Sequence, residues 1–388
     1  MKGFDFSGIH AGIKKDNIKD MGLILCQKPA SAAALFTKNR VKAAPVVLGQ
    51  EMIKTGLCQA VLVNSGNANC FTGERGLQDA RDSAQMVSKV FDIPKDLVMV
   101  SSTGVIGAYL PMDKFETGIP LLKERILHSG LKDFAQAILT TDTFVKIVET
   151  QAQIQGRTVS MAGVAKGSGM IRPDMATMLA YVVTDADIHS GDLKKMLISA
   201  NEKSFHRISV DGDTSTNDTL LCLASGQSGV RIEGDSTGLF QNMLDQTCFK
   251  LAKMIVKDGE GATKTAQIVI KGARTRKDAF KAAEAIAHSN LVKTALYGQD
   301  PNWGRITAAA GRSSADVDPD LMDLFIGDTA LVVKGMWQGA KAEEKAAQAM
   351  KNDEVNIVLD LNLGRETDRF LFCDFSENYV KINADYRT

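Results

Sequence analysis

Thr177 lies between an irregular loop and an apolar segment, where its hydroxyl could act as a nucleophile. The stretch KGSGMIRPDMATMLAY (166–181) puts three small residues and then Pro173 ahead of Thr177, and a strand-like run after it. Glycine permits unusual backbone angles, and proline stiffens the approach. A strained turn of this kind could press the Thr177 hydroxyl against the carbonyl of Ala176.

No imidazole is at hand to activate that hydroxyl. The motif G-x-S-x-G is absent, the five histidines lie outside the polar clusters, and His206, the nearest, is typical of a structural histidine. Cys70 is the one cysteine beside such a cluster. A threonine can instead use its own free α-amino group as the base, with a reference pKa of about 7.7–8.0. That chemistry requires the chain to be cut before Thr177, through an ester that water resolves.

Local features alone also fit a plain loop that enters a buried strand, with Thr177 merely hydrogen-bonded. Glycine-bearing polar clusters recur along the chain, however, and functional loops concentrate at the edges of rigid scaffolds, although the same residues make ordinary turns. The clusters are NSGNAN (64–69), SSTGVIG (101–107), TTDT (140–143), KGSGMIRPDMAT (166–177), DGDTSTNDT (211–219), KDGEGATK (257–264), YGQDPNWGR (297–305) and NADYRT (383–388).

Alternating strands and helices must position these clusters, which we expect at strand ends. Apolar periodicity predicts strands at 22–27, 59–64, 98–104, 219–225 and 266–272, a hairpin around Gly156, and helices at 73–92, 131–139, 192–205, 237–256, 277–288 and 340–350. The C-terminal segment 369–388 alternates like strands. The intermixed elements predict an α/β (α+β) protein with layered sheets flanked by helices.

Composition excludes several classes of function. Lys+Arg and Asp+Glu are both 46, so no basic excess predicts a nucleic-acid partner. The six cysteines form no C-x-x-C pair, which predicts buried reduced thiols and no metal site. No dinucleotide or P-loop motif predicts a cofactor. Without a signal peptide or a run of about 20 apolar residues, we expect a soluble, cytoplasmic protein with no membrane contact.

The motifs taken together resemble the ornithine acetyltransferase family, the bifunctional glutamate N-acetyltransferases of arginine biosynthesis. KGSGMIRPDMATMLAY is similar to that family's self-processing segment. Further family-like motifs follow in family order: VNSGNANCFTG, SSTGVIG, LTTDT, VDGDTSTNDT, VKDGEGATK, DPNWGRI and NYVKINADYRT. They lie within residues 61–388, and the N-terminal HAGIKK also fits. The resemblance implies that family's fold, which is similar to the DmpA fold.

Roles for individual residues follow from the resemblance. It implies that Thr177 is the nucleophile, freed by cleavage after Ala176, and that Thr103 and Gly104 form the oxyanion hole. It implies substrate contacts from Thr140, Thr143, Lys166, Thr177, Glu260, Asn383 and Thr388; within LTTDT we favour Thr140, with Thr143 as the alternative. Asp174 stands where many family members have asparagine and could alter processing speed, whereas Val145, where proline is common, should be harmless.

The implied reaction is a ping-pong transfer. Thr177 takes the acetyl group from N2-acetyl-L-ornithine and passes it to L-glutamate; the sequence leaves open whether acetyl-CoA is a second donor. Lys166 could bind the substrate α-carboxylate and Glu260 the ornithine δ-ammonium. The alternatives are an N-terminal-nucleophile amidase or aminopeptidase, which would pass the acyl group to water, and a non-catalytic small-molecule binding protein.

Self-cleavage would divide the chain into an alpha fragment, residues 1–176, and a beta fragment, residues 177–388. We expect the two to fold together as one intertwined unit with a smaller C-terminal lobe. The resemblance suggests a heterotetramer of two alpha and two beta fragments.

The first testable prediction is this cleavage. Purified protein should run on a denaturing gel as two fragments, whereas Thr177→Ala should remain one chain because the attacking hydroxyl is gone. N-terminal sequencing that finds no chain starting at Thr177 would remove the nucleophile assignment.

Overall fold

The computed structural model describes residues 1–15, 17–172 and 178–384. The chain forms two compact units. Unit 1 consists of Met1–His206 and Asp213–Ile255, and unit 2 of Arg207–Gly212 and Val256–Thr388. Each unit is built on its own sheet with helices packed against it. The predicted α/β class with layered sheets flanked by helices is therefore confirmed.

The strands in chain order are β1 (Phe4–Ile9), β2 (Met21–Phe36), β3 (Leu57–Asn67), β4 (Val98–Val105), β5 (Lys146–Ile154), β6 (Arg157–Lys166), β7 (Leu179–Thr184), β8 (Ile208–Ser209), β9 (Thr219–Ala224), β10 (Thr265–Ala273), β11 (Asp323–Ile326), β12 (Thr329–Val333), β13 (Met336–Trp337), β14 (Glu354–Asp360) and β15 (Glu366–Cys373). The α-helices are α1 (Ala44–Met52), α2 (Gly73–Phe91), α3 (Met112–Arg125), α4 (Leu131–Ala137), α5 (Ser190–Glu202), α6 (Ser236–Lys257), α7 (Arg276–Ala287), α8 (Asn290–Tyr297), α9 (Trp303–Gly311), α10 (Ala340–Ala349) and α11 (Glu377–Ala384).

The sheet of unit 1 carries several of the polar clusters named above, including SSTGVIG, TTDT and the segment after Lys166. Its strand order in the described part of the chain is β4-β3-β2-β9-β7-β6-β5, with β1 paired to β2. The central strands β7 and β9 run parallel and are buried along their whole length. Alternate residues of β2 and β3 belong to two different hydrophobic cores. Ile24 and Val61 pack in the core that includes α4, whereas Leu23 and Leu62 pack in the core that includes α2 and α3. Burial of both faces explains why these strands read as near-continuous apolar runs.

Strands β5 and β6 form the hairpin predicted around Gly156. They pair in register from Lys146 with Ala165 to Ile154 with Arg157. Gln155 and Gly156 both have positive φ, +52° and +72°, as a two-residue turn matching the strand twist requires. The hairpin directs the end of β6 towards the loop that precedes Thr177.

The sheet of unit 2 has the order β13-β12-β11-β14-β10-β15-β8 in the described residues. Strands β10 and β14 run parallel, and β15 lies antiparallel to β10. Helix α7 packs one apolar face, including Ala279, Ala283 and Ile286, into the core beneath this sheet.

Two expectations were wrong. Within the described part of the C-terminal segment, residues 369–373 complete strand β15, whereas residues 377–384 form helix α11. Phe375 and Tyr379 stack one helical turn apart, and Glu377 lies in the first turn, where a negative charge complements the helix dipole. The YGQDPNWGR cluster lies between α8 and α9 and not at a strand end, because the Asn302 side chain caps α9 by accepting the Arg305 amide.

Within the ranges described, no helix is both long enough and apolar enough to span a membrane.

Packing of α4 onto β1 generates a stability prediction. A Cβ placed on Gly8 would lie 2.0 Å from the backbone oxygen of Asp133, so Gly8→Ala must push α4 away from the sheet. We expect a loss of roughly 1–3 kcal/mol in the free energy of unfolding, measured by urea denaturation. The control is Gly238→Ala in α6, where a Cβ meets nothing within 4 Å, and which should be neutral or slightly stabilising. Equal midpoints for both variants would contradict this account.

Candidate active site

A β-bulge places Thr103 and Gly104 at the end of β4. The parallel pairing of β3 with β4 shifts register at Gly66 and Asn67, opposite these two residues. Gly104 has φ +133°, and a Cβ there would lie 2.3 Å from the carbonyl carbon of Gly66. Only glycine fits so close a backbone approach. Bulges of this kind re-aim backbone groups beside active sites.

A buried hydrogen-bond network holds the strand behind the bulge. The Ser102 hydroxyl donates to Asn64 Oδ1 at 2.6 Å, and Asn64 Nδ2 donates to the Asn67 carbonyl at 2.9 Å. Asn67 in turn donates to the Tyr109 carbonyl at 2.9 Å. These amides belong to the NSGNAN cluster, which therefore serves to fix the two strand ends.

Lys166 lies beside the bulge. Its ammonium donates a 2.9 Å hydrogen bond to Thr103 Oγ1, and both side chains are buried, with 3% and 6% exposure. Because the Thr103 oxygen accepts from the ammonium, its own O–H is free to donate to a third group. A buried cation next to that donor also favours negative charge at the same place.

The Asp142 carboxylate, in the TTDT cluster, balances the positive charges of the buried Lys146 and Lys166. Its carboxylate accepts Lys146 Nζ at 2.6 Å, the Gly167 amide at 2.7 Å and the Thr140 amide at 3.1 Å. Burial alone would raise the pKa of Asp142, but the Lys166 and Lys146 charges and the Gly167 amide outweigh it and lower that pKa. The carboxylate thus stays charged and joins the TTDT loop to the loop after β6. Thr141 and Ser168 join the same loops through a 2.6 Å hydroxyl contact.

A second lysine approaches the bulge from the N-terminal loop. Lys14 Nζ donates to the Leu139 carbonyl at 2.9 Å, and its stem covers Gly66 so closely that a Cβ there would lie 2.8 Å from Lys14 Cγ. Burial lowers the pKa of Lys14, Asp20 opposes that shift, and the Lys166 charge adds to it. The buried Asp20 carboxylate accepts the amide of Lys14 at 2.9 Å and those of three preceding residues, Ala11, Gly12 and Ile13.

Ala176 and Thr177, with residues 173–175, lie outside the described residues. The chain on either side of that segment is fixed. Lys166 of β6 pairs directly with Leu179 of β7. The Met178 amide donates to Asp218 Oδ1 at 3.0 Å, and the Met178 carbonyl accepts the Thr219 amide at 3.1 Å. The residue that follows Thr177 is therefore held next to the strand that carries Lys166.

In unit 2 the structure brings Glu260 and Asn383 together. Asn383 Nδ2 donates to Glu260 Oε2 at 2.9 Å, and Glu260 is only 8% exposed. Helix α11 begins against the KDGEGATK loop, where the Ser376 hydroxyl donates to the Gly261 carbonyl at 2.5 Å. Thr388 lies outside the described residues.

Sequence reasoning found Thr103, Gly104 and Lys166 in different motifs, and the structure brings these three into one place. It also sets Thr140 beside Asp142, whereas Thr143 is exposed. Which threonine contacts substrate stays a prediction. Asp142, Lys146 and Lys14 were given no role from the sequence, although Asp142 lies within TTDT. All six cysteines are free and buried, and burial raises the pKa of Cys58 and Cys222 to about 12, so these two thiols are poor nucleophiles.

Comparison with known proteins agrees with the motif resemblance. A relative from Geobacter sulfurreducens named "Arginine biosynthesis bifunctional protein ArgJ" is 47% identical over 391 residues, covering 100% of both chains. A "Glutamate N-acetyltransferase" from Methanocaldococcus jannaschii is 44% identical over 401 residues, covering 100% of this chain and 97% of the relative. A crystal structure of the ArgJ protein of Bacillus halodurans is 48% identical to this chain, covers 46% of it and 91% of its own chain, and has a TM-score of 0.43.

The family profile described as "ArgJ family" matches residues 5–388. Because this match spans nearly the whole sequence and the relatives align along their full lengths, the chain belongs to the ArgJ family.

Proposed function

We propose that this protein is a glutamate N-acetyltransferase of arginine biosynthesis, which moves the acetyl group of N2-acetyl-L-ornithine to L-glutamate. The observation that carries the proposal is the buried Lys166–Thr103 hydrogen bond at the glycine bulge, at the end of the strand that pairs with β7. Whole-length relatives named for glutamate acetylation and for arginine biosynthesis support the same activity.

The first half-reaction transfers the acetyl group to Thr177. The Thr177 hydroxyl loses its proton to the free α-amine and attacks the acetyl carbonyl of the donor. Thr103 and Gly104 stabilise the oxyanion, and the Lys166 ammonium strengthens the Thr103 donor. The C–N bond to ornithine breaks, the ornithine α-nitrogen takes the proton, and an acetyl ester of Thr177 remains.

The second half-reaction transfers the acetyl group from Thr177 to glutamate. Ornithine leaves, and glutamate binds with its α-amine against the ester carbonyl. The amine attacks, and the same oxyanion hole accepts the charge. The Thr177 α-amine takes a proton from the glutamate nitrogen and gives it to the Thr177 oxygen as the ester C–O bond breaks, which leaves N-acetyl-L-glutamate and the free hydroxyl. Incubation with acetyl-ornithine alone should therefore leave an acetyl group on the fragment that begins at Thr177, detectable by mass spectrometry, and glutamate should remove it.

Substrate recognition is proposed for polar residues of several motifs. A threonine of TTDT, Thr140 in preference to Thr143, and Lys166 would contact the amino-acid part of the substrate. Glu260, with Asn383 bonded to it, would accept the ornithine δ-ammonium. Thr388 belongs to the same predicted set.

Self-cleavage between Ala176 and Thr177 is part of the proposal, as is the assembly of two alpha and two beta fragments in the cytoplasm. The paired strands β6 and β7 support joint folding of residues on both sides of the cut. We also propose acetyl-CoA as a second donor, which the word "bifunctional" in the relatives' names supports. Glutamate acetylation with acetyl-CoA in the absence of acetyl-ornithine tests this.

The two alternatives are not favoured. An amidase or aminopeptidase would pass the acyl group to water and turn over equally well without glutamate. A non-catalytic binding protein would stay one chain on a denaturing gel. The name of the Methanocaldococcus jannaschii relative describes acetyl transfer. Strong dependence of turnover on glutamate would exclude both alternatives together.

Replacing Thr103 tests the oxyanion hole. We expect Thr103→Val to lower kcat for acetyl transfer by about 10²–10³-fold, because one preorganised donor is lost. The rate should be measured on folded protein that is cleaved at Thr177. Thr150→Val in β5 of the same sheet is the control and should retain wild-type kcat. A cleaved Thr103→Val enzyme of wild-type rate would rule out the role.

Replacing Glu260 tests the proposed ammonium contact. Glu260→Gln removes the negative charge and keeps the shape, so KM for acetyl-ornithine should rise by about tenfold or more, and KM for glutamate should change less. Glu377→Gln, an exposed residue in α11, makes the same charge change and should alter neither constant. Steady-state kinetics with both substrates provide the measurement, and equal KM values in Glu260→Gln and wild type would remove Glu260 from the site.

A further inference from the structure

The segment Ser215–Asp218, here called the STND segment, lies immediately before β9 and has no part in the mechanism above. Its four residues are buried. Two neighbouring groups hold its backbone: the Thr37 hydroxyl donates to the Ser215 carbonyl at 2.7 Å, and the Ala43 amide donates to the Thr216 carbonyl at 3.0 Å. Two of its side chains, Asn217 and Asp218, reach backbone groups of two different strand ends.

Asn217 holds the peptide group that carries the Thr103 amide. Its Nδ2 donates to the Ser102 carbonyl at 2.8 Å and to the Ala68 carbonyl at 2.7 Å. The Thr216 hydroxyl donates to Asn217 Oδ1 at 2.6 Å and so fixes the orientation of the amide. The Ser102 carbonyl belongs to the peptide unit that joins Ser102 to Thr103, so this hydrogen bond holds the end of β4 that carries Thr103.

Asp218 holds the residue that follows Thr177. Its Oδ1 accepts the Met178 amide at 3.0 Å, and its side chain is 1% exposed. Asp218 Oδ2 is buried and has no hydrogen-bond partner among the residues described. Two consecutive side chains thus tether the two strand ends that carry the proposed oxyanion hole and the proposed nucleophile.

We propose that Asn217 and Asp218 are positioning residues. They fix the distance between the start of β7, which follows Thr177 in the chain, and the end of β4, which carries Thr103. The inference rests on the proposed function, since it assumes that Thr177 and Thr103 act on one acetyl group. Neither side chain needs to touch substrate. Reacting atoms must be held within a few tenths of an ångström, and a shift of about 1 Å can cost about 10²-fold in rate.

The protonation state of Asp218 decides which substitution preserves the tether. Burial raises the pKa of Asp218 well above its usual value, and the Met178 amide and the Lys166 charge offset that rise only in part. The raised pKa shifts Asp218 towards the neutral carboxylic acid. Asparagine has the same shape and no charge, and it retains an oxygen for the Met178 amide.

A matched control lies at the other end of β7. Asp185 is also buried, its Oδ1 accepts the Ser160 amide at 2.8 Å, and its Oδ2 also lacks a partner within the described ranges. It follows Thr184, at the end of the strand remote from Met178. Asp185→Leu removes the same kind of tether in the same strand, away from the proposed chemistry.

The experiment compares Asp218→Leu, Asp218→Asn, Asn217→Ala and Asp185→Leu in the full-length protein. Thermal melting, the fraction cleaved before Thr177, and kcat and KM for acetyl-ornithine are measured for each. We expect Asp218→Leu and Asn217→Ala to lower kcat by about 10²-fold with little change in KM. Asp218→Asn should restore kcat to within a few-fold of wild type. Asp185→Leu should lower the melting temperature and leave kcat unchanged.

The outcomes separate the inference from the function on which it rests. Wild-type protein without acetyl transfer would overturn both. Active wild type with unchanged kcat in Asn217→Ala or in folded Asp218→Leu would overturn the inference alone, as would an equal fall of kcat in Asp185→Leu. If Asp218→Leu does not fold, the inference is still tested by Asn217→Ala, which must lower kcat, and by Asp218→Asn, which must keep kcat within a few-fold of wild type. An Asp218→Asn enzyme as slow as Asn217→Ala would show that a negative charge is required at this position, and would overturn the inference.

Discussion

The buried positive charge of Lys166 is the constraint around which the site is arranged. An ammonium with 3% exposure is stable only with charged or hydrogen-bonding partners close by. The Thr103 hydroxyl and the Asp142 charge supply these, and Asp142 also neutralises Lys146 and binds the loop after β6. The contacts that balance the Lys166 charge therefore join three segments that are distant in sequence: the end of β4, the TTDT cluster and the loop after β6. In the proposed function, the same charge would face the carboxylate or the oxyanion of a bound substrate.

Much of the fold could be predicted from local pattern. Helices α2 and α7 are long segments with a clear helical period of apolar residues. The hairpin of β5 and β6 has a glycine, Gly156, at its turn. Elements with mixed signals were missed. Helix α3 contains Pro120, α9 begins within DPNWGR, and α11 has no buried residue and alternates in sequence like a strand. Its helical state depends on the Gly261 contact and the stacking of Phe375 on Tyr379, which no short window of sequence reveals.

Several residues of the candidate site could be predicted from the sequence, but the contacts that join them could not. The resemblance of the motifs to a known family identified Thr103, Gly104 and Lys166 as site residues, because each lies within a short segment that can be matched without knowledge of its partners. Asp142 and Asn217 were not assigned, since their roles depend on partners 25 and 115 residues away. Such contacts follow from the order of strands β4-β3-β2-β9-β7-β6, which brings the starts and ends of non-consecutive strands to one edge. That order cannot be read from the apolar pattern of any single strand.

The pairing of β6 with β7 has a consequence for how the enzyme would lose its structure. The two strands pair from Met161 with Thr184 to Lys166 with Leu179, and β7 also lies against the central strand β9. After cleavage before Thr177, β6 and β7 would belong to different polypeptides joined through the middle of one core. Unfolding would then release two molecules in place of one, so recovery would depend on their meeting again. The stability of the cleaved protein would then depend on its concentration, and dilution after denaturation would slow the recovery of structure.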